Sequence, residues 1–355
     1  MNSVRGMGVD RVSPASQVQG ARRAAAKAQR GAALLGAMLL VSLVAALAAT
    51  ALWQQWRLTE VERNERGRQQ ALWLVQGALD WARLILREDA RGGGADHLGE
   101  PWAVPLQEAR LSSFLASDGN ASGLGGLNEV FLSGQIEDLQ GRLNLSNLIE
   151  GDTVSLPDVQ MAERLFELLD LPPARVQQMA RALLAAKAAA AQSSRAADVG
   201  AASAATGSWG GFMPTRVDEL VWLGLPADLL TRLAPHISVL PERTVLNLNT
   251  ASAELISASL KGLDLGQARR LVQARQRQHW RDLVSANTAL GPPLAFDAQR
   301  HGVQSRYFLI TGHLRRDDLQ VSQQALVRRD GLDVRVLWRQ SGGRALEPQP
   351  TGLRP

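Results

Sequence analysis

The longest apolar stretch of the chain lies near its amino terminus. Residues 32–53 run for 22 positions without a charged side chain, and Ser42 and Thr50 are the only hydroxyls among them. At about 1.5 Å per residue, a helix of this length spans roughly 33 Å, the thickness of the hydrocarbon core of a bilayer. A half-buried helix of a soluble protein would show polar residues every third or fourth position. The pattern therefore predicts a transmembrane helix over residues 32–56.

The helix continues beyond this run with a different periodicity. Between residues 57 and 91, apolar side chains recur at steps of three and four with charged residues between them, at Leu58, Val61, Leu72, Val75, Leu79, Ala82 and Leu86. This spacing is typical of an amphipathic helix that lays one face on a globular domain. Gly92, Gly93 and Gly94 then predict its end.

Alternating apolar and polar residues predict strands in two separate regions. The early strands are Val130–Leu132 and Gln135–Glu137, and the late ones are Ser305–Leu314, Leu319–Arg328 and Val334–Arg339. We expect all of them to join one antiparallel sheet against the long helix. The helical region 151–304 would then be an insertion in the sheet domain.

Two segments have the composition of irregular structure. Residues 185–211 are rich in Ala, Ser and Gly, which favours a low-complexity linker or a disordered loop. Residues 342–355 are rich in Pro and Gly, which favours a disordered tail.

The net charge of +5 is concentrated in the first residues of the chain. Residues 1–31 contain six basic residues and one acid, which leaves 33 basic and 33 acidic residues for the rest, out of 39 and 34 in the whole chain. A basic flank stays on the cytoplasmic side of a membrane, so the remainder of the chain is expected to be exported. A formally neutral exported domain has no overall attraction to nucleic acid or anionic lipid.

A cleavable secretory signal peptide is the alternative to a membrane anchor. The apolar run is longer than the core of such a peptide, and no small-residue cleavage site closes it. Gly31 instead stands between the basic leader and the apolar helix, an arrangement that resembles the leader of type IV pilins and type II secretion pseudopilins. The resemblance implies that a prepilin peptidase and methyltransferase in the inner membrane cuts after Gly31 and methylates Ala32.

The most specific internal stretch is VFLSGQIEDLQGRLNLSNL, residues 130–148. An ordinary hairpin with an Asp-x-x-Gly turn would account for its backbone. The pattern also resembles a motif of the type II secretion minor pseudopilin K family, also called the general secretion pathway protein K family. The matching positions are Ile136, Asp138, Gln140, Gly141, Arg142, Asn144, Leu145 and Leu148. Asn147 stands one position later than the second Asn of the family motif, and Ser146 occupies the usual place.

The resemblance implies a function and a set of partners. A protein of this family would bind the I and J pseudopilins through packed helices, form the tip of the secretion pseudopilus, and be anchored once in the bacterial inner membrane with its large domain in the periplasm. Most pilins carry Glu at the fifth mature position, where this chain has Gly36. A missing carboxylate suits a subunit with no neighbour above it, so Gly36 marks the start of a filament.

The resemblance also raises calcium binding, which the residues do not favour. The family links calcium with an acidic loop, whereas residues 188–216 contain a single acid, Asp198. Calcium takes six or more oxygen ligands, so no cofactor is predicted.

A helix-hairpin-helix pattern in residues 246–283 carries the alternative function, a membrane-anchored protein of DNA uptake. Thr250 or Ser252 is expected to cap one helix, and a second helix, Gly266 to Arg277, is rich in arginine. Phosphate binding by this motif needs a tight Gly-x-Gly turn, and the glycines here stand at positions 262 and 266. The pattern therefore favours a helical interaction domain, and no nucleic acid is expected as a partner.

No catalytic constellation is visible. The chain has no cysteine, and its five histidines stand in no metal-ligand spacing. Glu137 and Asp138 are neighbours on a predicted strand and would point to opposite faces. The sequence therefore predicts a protein that is not an enzyme.

The predicted fold class is α+β: a long amino-terminal pilin-like helix on an antiparallel sheet, with a large inserted all-α domain of helix-hairpin-helix or SAM-like type. The predicted boundaries are a leader (1–31), a transmembrane helix (32–56), a helix with the first strands (57–150), the inserted domain (151–304), the last strands (305–341) and the tail (342–355).

Overall fold

The computed structural model describes residues 14–111, 130–198, 213–316 and 319–342, and the chain divides into two units, Met1–Gln69 and Gln70–Pro355. Helix α1 extends over Pro14–Gly92 and contributes to both units.

In the first unit, α1 carries the apolar run. Leu34, Leu52, Trp53 and Trp56 each expose between 58% and 67% of their surface. By length and composition, the helix that includes these residues is able to cross a membrane. The Arg57 guanidinium lies 5.1 Å from the centre of the Trp53 ring, which places a cation and two tryptophans at the end of the run. Tryptophan and basic side chains at the end of an apolar run are typical of a membrane–water interface.

In the second unit, α1 buries one stripe of side chains. The buried residues are Ala71, Val75, Leu79, Ala82 and Leu86, at the steps of three and four that place side chains on one helix face. The helix ends at Gly92, and Gly93 and Gly94 follow with φ of +62° and +112°. The glycine stop and the amphipathic face from Ala71 onward are therefore confirmed, whereas the predicted face does not include Leu58 and Val61, which are exposed.

The other elements of the second unit follow α1 in chain order. The strands are β1 (Leu106–Arg110), β2 (Val130–Asp138), β3 (Leu143–Asn144), β4 (Ile149–Glu150), β5 (Thr153–Val154), β6 (Ile237–Ser238), β7 (Leu246–Asn247), β8 (His301–Gly302), β9 (Tyr307–Arg316), β10 (Leu319–Asp330) and β11 (Asp333–Ser341). The helices are α2 (Leu156–Leu168), α3 (Ala174–Asp198), α4 (Ala227–Leu233), α5 (Ala253–Ser259), α6 (Leu265–Arg277) and α7 (Leu283–Leu290). Short 3-10 helices cover Pro101–Ala103, Leu139–Gly141, Leu145–Leu148 and Asp218–Leu223.

The main sheet has five strands in the order β1-β2-β9-β10-β11, and every neighbouring pair is antiparallel. Strand β2, from the first half of the chain, pairs with β9 along its whole length, from Val130 opposite Arg316 to Asp138 opposite Phe308. The early and late strands therefore form one antiparallel sheet with the long helix, and the α+β fold class is confirmed.

The sheet packs on both faces, because successive side chains of a strand point to opposite sides. Phe308 and Ile310 of β9 join a cluster with Leu79 and Leu86 of α1. On the opposite face, Tyr307 packs in a cluster that also contains Leu139, Leu240 and Leu326. Segments from between β2 and β9 thus cover the second face of the sheet.

The residues between β2 and β9 have a hydrophobic core of their own. It gathers apolar side chains from α2 to α7 and includes the fully buried Leu165, Phe166, Leu233 and Ile256. Three pairs of two-residue strands brace this region: β3 with β6, β4 with β5, and β7 with β8. The insertion is therefore mainly helical rather than purely helical, while its predicted boundaries stay a prediction.

Two local predictions were wrong. Val130–Asp138 is one strand, and the chain after it does not turn back as a hairpin, because β3 pairs in parallel with the distant β6. The alanine-rich stretch predicted as a linker from residue 185 continues α3 to Asp198, since alanine is the strongest helix former. Residues 199–211 of that stretch and residues 343–355 of the predicted tail lie outside the described residues.

Candidate functional site

The signature motif forms two successive turns at the end of β2, and each turn is closed by the side chain that precedes it. An Asp138 Oδ1 oxygen accepts a hydrogen bond from the Gln140 amide at 2.8 Å, and Asn144 Oδ1 accepts one from the Ser146 amide at 3.1 Å. Both Asp138 and Asn144 have extended backbones and sit at the amino-terminal cap of a short 3-10 helix. These hydrogen bonds from backbone amides two residues later explain why both positions carry a short polar side chain.

The Asp138 carboxylate also connects distant parts of the chain. Its Oδ2 oxygen accepts hydrogen bonds from Asn247 Nδ2 at 2.9 Å, Thr250 Oγ1 at 2.6 Å and Ser305 Oγ at 2.6 Å. Asp138 is 8% exposed. Burial raises the pKa of this carboxyl group, while the donors from Ser305, Thr250 and Gln140 act in the opposite direction. We call Asp138, Gln140, Asn247, Thr250 and Ser305 the motif joint.

Asn247 and Asn249 extend this network into the insertion. Asn247 Nδ2 also donates to the Asp96 carbonyl at 3.1 Å, and its Oδ1 accepts from the Asn249 amide at 2.9 Å. Asn249 in turn exchanges two hydrogen bonds with the Trp280 main chain, at 2.9 and 3.0 Å. Ser252 caps α5 by accepting from the Leu255 amide at 3.2 Å. Of the two predicted caps, Ser252 is therefore the one used, and the Thr250 hydroxyl serves the motif joint instead.

The middle residues of the motif fit the same joint. Gln140 accepts from the Arg306 amide at 2.7 Å and donates to the Val245 carbonyl at 3.2 Å. Gly141 has no room for a side chain, because a Cβ atom there would lie 2.6 Å from Thr250 Oγ1. Arg142 forms an ion pair with Glu137. A glycine in the motif is thus required by close packing.

The last motif residues attach the segment around residues 240–244. Asn144 Nδ2 donates to the Glu242 carbonyl at 2.8 Å, and Asn144 Oδ1 accepts from the Leu240 amide at 3.2 Å. Asn147, which stands one position later than in the family motif, exchanges hydrogen bonds with the Thr244 main chain at 2.8 and 2.9 Å. Asn147 thus serves the same segment that Asn144 holds.

The apolar motif residues belong to two different cores, and Leu148 is fully buried in the same core as Leu145. Leu145 is fully buried in the core of the insertion. Ile136 is partly buried against the cluster that joins α1 to the sheet. The motif therefore bridges both hydrophobic cores.

A buried ion-pair group borders the joint. Arg329 of β10 pairs with Asp96 and, at 2.7 Å, with Asp89, and Asp96 accepts from the Ser305 amide at 2.6 Å. Burial raises the pKa of Asp96, and the Arg329 charge opposes that shift. Carboxylate oxygens of Asp89, Asp96 and Glu100 lie within 4.8 Å of one another, but the guanidinium of Arg329 already balances two of them. We therefore assign this cluster a structural role as an ion-pair group and not a role in metal binding.

A small cavity lies beside the motif, with a volume of about 300 Å³. Its lining includes Ile136, Asp138, Gly141 and Arg142 of the motif, and His236 from the insertion. The polar atoms of the motif joint are engaged by the chain itself. The geometry accordingly suits a joint that fixes the insertion on the sheet.

In the helix-hairpin-helix-like segment, a side chain of the chain itself occupies the place where a phosphate would bind. Gly262 has a φ of +91° in the turn between α5 and α6, but Asp264 caps α6 and its carboxylate accepts from the Gln267 amide at 2.8 Å. A carboxylate at the helix start repels the phosphate that such a site would bind. Arg275 is buried and donates to the Leu248 carbonyl.

The predicted processing and filament residues lie in α1. Gly31 and Ala32 are helical, but their side chains lie outside the described part of the chain, as do residues 1–13. At Gly36, an added Cβ would meet no atom within 4 Å. The roles of these three residues stay predictions.

Four residues of the site were not singled out from the sequence: Asn247, Ser305, Asp96 and Arg329. The Asn-x-Asn-Thr segment did carry a signal, because short polar residues that follow an apolar strand favour Asx turns. No local pattern pointed to the other three, since their partners lie far away in the chain.

Comparison with known families gives two matches. Models described as type II secretion system (T2SS), protein K, match residues 141–242 and residues 246–304. The first match begins inside the signature motif, and the second begins one residue before Asn247.

Several curated relatives align along nearly the whole chain. The type II secretion system protein K of Pseudomonas aeruginosa is 29% identical over 345 residues, covering 92% of this chain and 97% of the relative. That of Pectobacterium carotovorum is 29% identical over 334 residues, covering 89% and 97%. That of Klebsiella pneumoniae is 28% identical and covers 88% and 97%.

One solved structure has the same fold. It is a chain in the crystal structure of the GspK-GspI-GspJ complex from the type 2 secretion system of enterotoxigenic Escherichia coli. The TM-score is 0.58 at 21% identity, over 79% of this chain and 99% of that one.

Replacing Asp138 by Asn tests the charge of the motif joint. An amide offers one acceptor oxygen and places an NH₂ group against donors, so we expect the free energy of unfolding to fall by about 2–3 kcal/mol. Chemical denaturation of the full chain in detergent measures this change. Glu137→Gln, on the neighbouring and more exposed residue, should cost less than about 1 kcal/mol. Equal losses for the two variants would contradict the assigned role of Asp138.

Glu100 makes the stability of the second unit depend on pH. Burial raises the pKa of Glu100 from 4.5 to about 7, against hydrogen bonds from His97 and Trp102. Because the folded pKa is the higher one, the stabilisation from this group is complete below pH 4.5 and is lost as the pH rises through about 7. Glu100→Gln should remove this part of the loss, as seen in thermal unfolding at several pH values.

Glu88→Gln is the matched control, because Glu88 is an exposed residue paired with Arg91. It should keep the pH dependence of the unaltered chain. The assignment fails if Glu100→Gln and the unaltered chain lose stability equally over this pH range.

Proposed function

The chain belongs to the protein K family of type II secretion systems, whose members are minor pseudopilins, and we propose that it starts the secretion pseudopilus as a tip subunit bound to pseudopilins I and J. This role is structural, with no catalytic step. The solved relative of the same fold is in a complex of GspK, GspI and GspJ.

The observation that carries the proposal is an exposed apolar stripe on α1 within the second unit. Trp73, Trp81 and Leu84 expose 68%, 41% and 45% of their surface. They stand at helical steps of eight and three residues, and Gly77 lies on the same line between the two tryptophans. This line is opposite the stripe that α1 buries on the sheet. We call these four residues the outer stripe.

The outer stripe has the chemistry of a helix-packing surface. Contiguous large apolar side chains on a water-exposed helix mark interaction sites, and tryptophan is enriched among residues that dominate binding energy. An added Cβ at Gly77 would meet no atom within 4 Å, so the glycine leaves space for a close approach by another helix. We therefore place the helices of I and J against this stripe.

The apolar run of the first unit supports a membrane-anchored subunit. Its exposed leucines and the terminal Trp53 and Trp56 suit a single-pass helix. The basic leader before it supports a cytoplasmic amino terminus and a periplasmic domain. We assign the anchor to the bacterial inner membrane.

Processing at Gly31 fits the same role. We propose that the prepilin peptidase cuts after Gly31, so that the mature chain begins at Ala32 and has Gly36 at its fifth position. A carboxylate at that position would neutralise the amino terminus of an adjoining subunit inside the apolar bundle. Because a first subunit has no such neighbour to serve, an uncharged fifth residue avoids an unpaired buried charge.

Trp73→Glu tests the outer stripe. The substitution puts a charge where we expect a partner helix, and Trp73 contributes little to the core because it is largely exposed. Loss of a central tryptophan typically costs more than 2 kcal/mol of binding, so co-purification with I and J from membranes should fall at least about tenfold.

Trp222→Glu is the control, since Trp222 is 57% exposed on the insertion. It should leave co-purification unchanged. Retention of both partners by the Trp73 variant at the level of the unaltered chain would refute the placement.

Gly31→Leu tests processing. The bulky residue should block cleavage, so that a full-length precursor accumulates in the membrane and secretion stops. Amino-terminal sequencing of the unaltered protein should start at Ala32. Gly20→Leu, within the leader, should mature normally, and normal maturation of the Gly31 variant would disprove the cleavage position.

A further inference from the structure

The second helix of the helix-hairpin-helix-like segment exposes a cluster of cations. Lys261, Arg269, Arg270, Arg277 and Arg281 are all exposed, and we call them the basic stripe. Arg269, Arg270 and Arg277 lie within about 100° of the circumference of α6, because successive residues of a helix are separated by about 100°. The three arginines therefore face the same side.

The basic stripe is not balanced by nearby acids. None of its five side chains forms an ion pair with a carboxylate in the part of the chain that the structure describes. Arginines on other elements behave differently: Arg243 pairs with Asp158 at 2.8 Å, and Arg315 pairs with Glu108 at 2.7 Å. Like charges left together on one surface favour an external anion.

A membrane surface is a poor match for the stripe. Helices that lie on a bilayer insert a large apolar face beside their cations. Ala268 and Leu271 of α6 are buried in the core of the insertion, and Val272 is partly buried against it. The exposed residues between Arg270 and Arg277 are Gln273, Ala274 and Gln276, none of which has a large apolar side chain.

A nucleic acid is also a poor match. The Asp264 carboxylate occupies the start of α6, where a phosphate would otherwise accept hydrogen bonds from free amides. Four of the five cations are arginines, whose planar groups pair with carboxylates through two parallel hydrogen bonds. Separate carboxylates of a protein surface can avoid Asp264, whereas the continuous phosphate backbone of a duplex would pass close to it.

We infer that the basic stripe of α6 is a docking surface for an acidic patch of a protein partner, whose Asp and Glu carboxylates pair with the arginine side chains. This surface is separate from the outer stripe of α1. It gives the insertion a contact with a second protein, in addition to its packing on the sheet.

The test places a photo-crosslinking amino acid at Gln273, between Arg270 and Arg277, in the full chain within secreting cells. The same residue at Gln178 of α3 is the positional control, because Gln178 is also exposed. We expect a protein adduct at position 273 and none of the same mass at position 178. Mass spectrometry of the adduct should map the contact to a segment rich in Asp and Glu.

Charge reversal decides whether the contact is electrostatic. Arg270→Glu/Arg277→Glu should reduce the adduct roughly tenfold, because two attractive pairs become repulsive. Arg175→Glu/Arg181→Glu on α3 changes the net charge equally and should leave the adduct unchanged. Replacing mapped acidic residues of the partner by Arg should restore the adduct with the α6 variant.

Several outcomes would overturn the inference: an adduct with lipid or nucleic acid, no adduct, a mapped contact without acidic residues, or an adduct that charge reversal leaves intact. Co-purification with I and J, measured in the same cells, keeps the two proposals apart. It should be unchanged in the α6 variant. Its absence from the unaltered chain would refute tip assembly but not the basic stripe.

Discussion

The buried carboxylate of Asp138 is the constraint on which the second unit depends. It accepts hydrogen bonds from the Gln140 amide, Asn247, Thr250 and Ser305, which come from separate parts of the chain. A charge removed from water is tolerated only when its acceptors are satisfied. All of these donors are in place only when the insertion packs on the sheet. The hydrogen-bond network around Asp138 therefore forms only together with that packing. Apolar packing of Leu139 and Leu240 on Tyr307 and Leu326 joins the same two parts.

Sequence periodicity predicted the elements that depend on local spacing. The steps of three and four in α1, the alternation in the late strands and the capped turn after Asp138 all follow from residues within a few positions of one another. The donors to Asp138 do not, because Asn247 and Ser305 lie 109 and 167 residues away. A single sequence carries no signal for contacts at such separations, so the sequence shows the motif as a pattern and not the contacts that explain it.

The two errors have different origins. Residues after Asp138 look like a hairpin because alternation reveals a strand but not its partner, and Leu143 in fact pairs with Ile237. The alanine-rich stretch looks like a linker because its composition is simple, although alanine also has the highest helix propensity. The first error therefore concerns a distant strand partner, and the second concerns a local helix propensity that the simple composition conceals.

The pairing of β2 with β9 has a consequence for the order of folding. Asp138 and its partner Phe308 are separated by the whole insertion, so in the proposed membrane topology the middle of the sheet closes only after the chain up to β9 has been exported. The insertion has its own core and lies between them in the chain, which favours its folding first, since long loops close slowly and local contacts form early. Until the late strands arrive, Leu79 and Leu86 lack Phe308, Ile310 and Val327, the strand side chains that cover them in the folded unit. An anchored, half-exported chain would therefore expose both sides of α1, and the arrival of β9 to β11 hides one of them. In the proposed topology, completion of export thereby decides which face of the helix remains open for the proposed assembly.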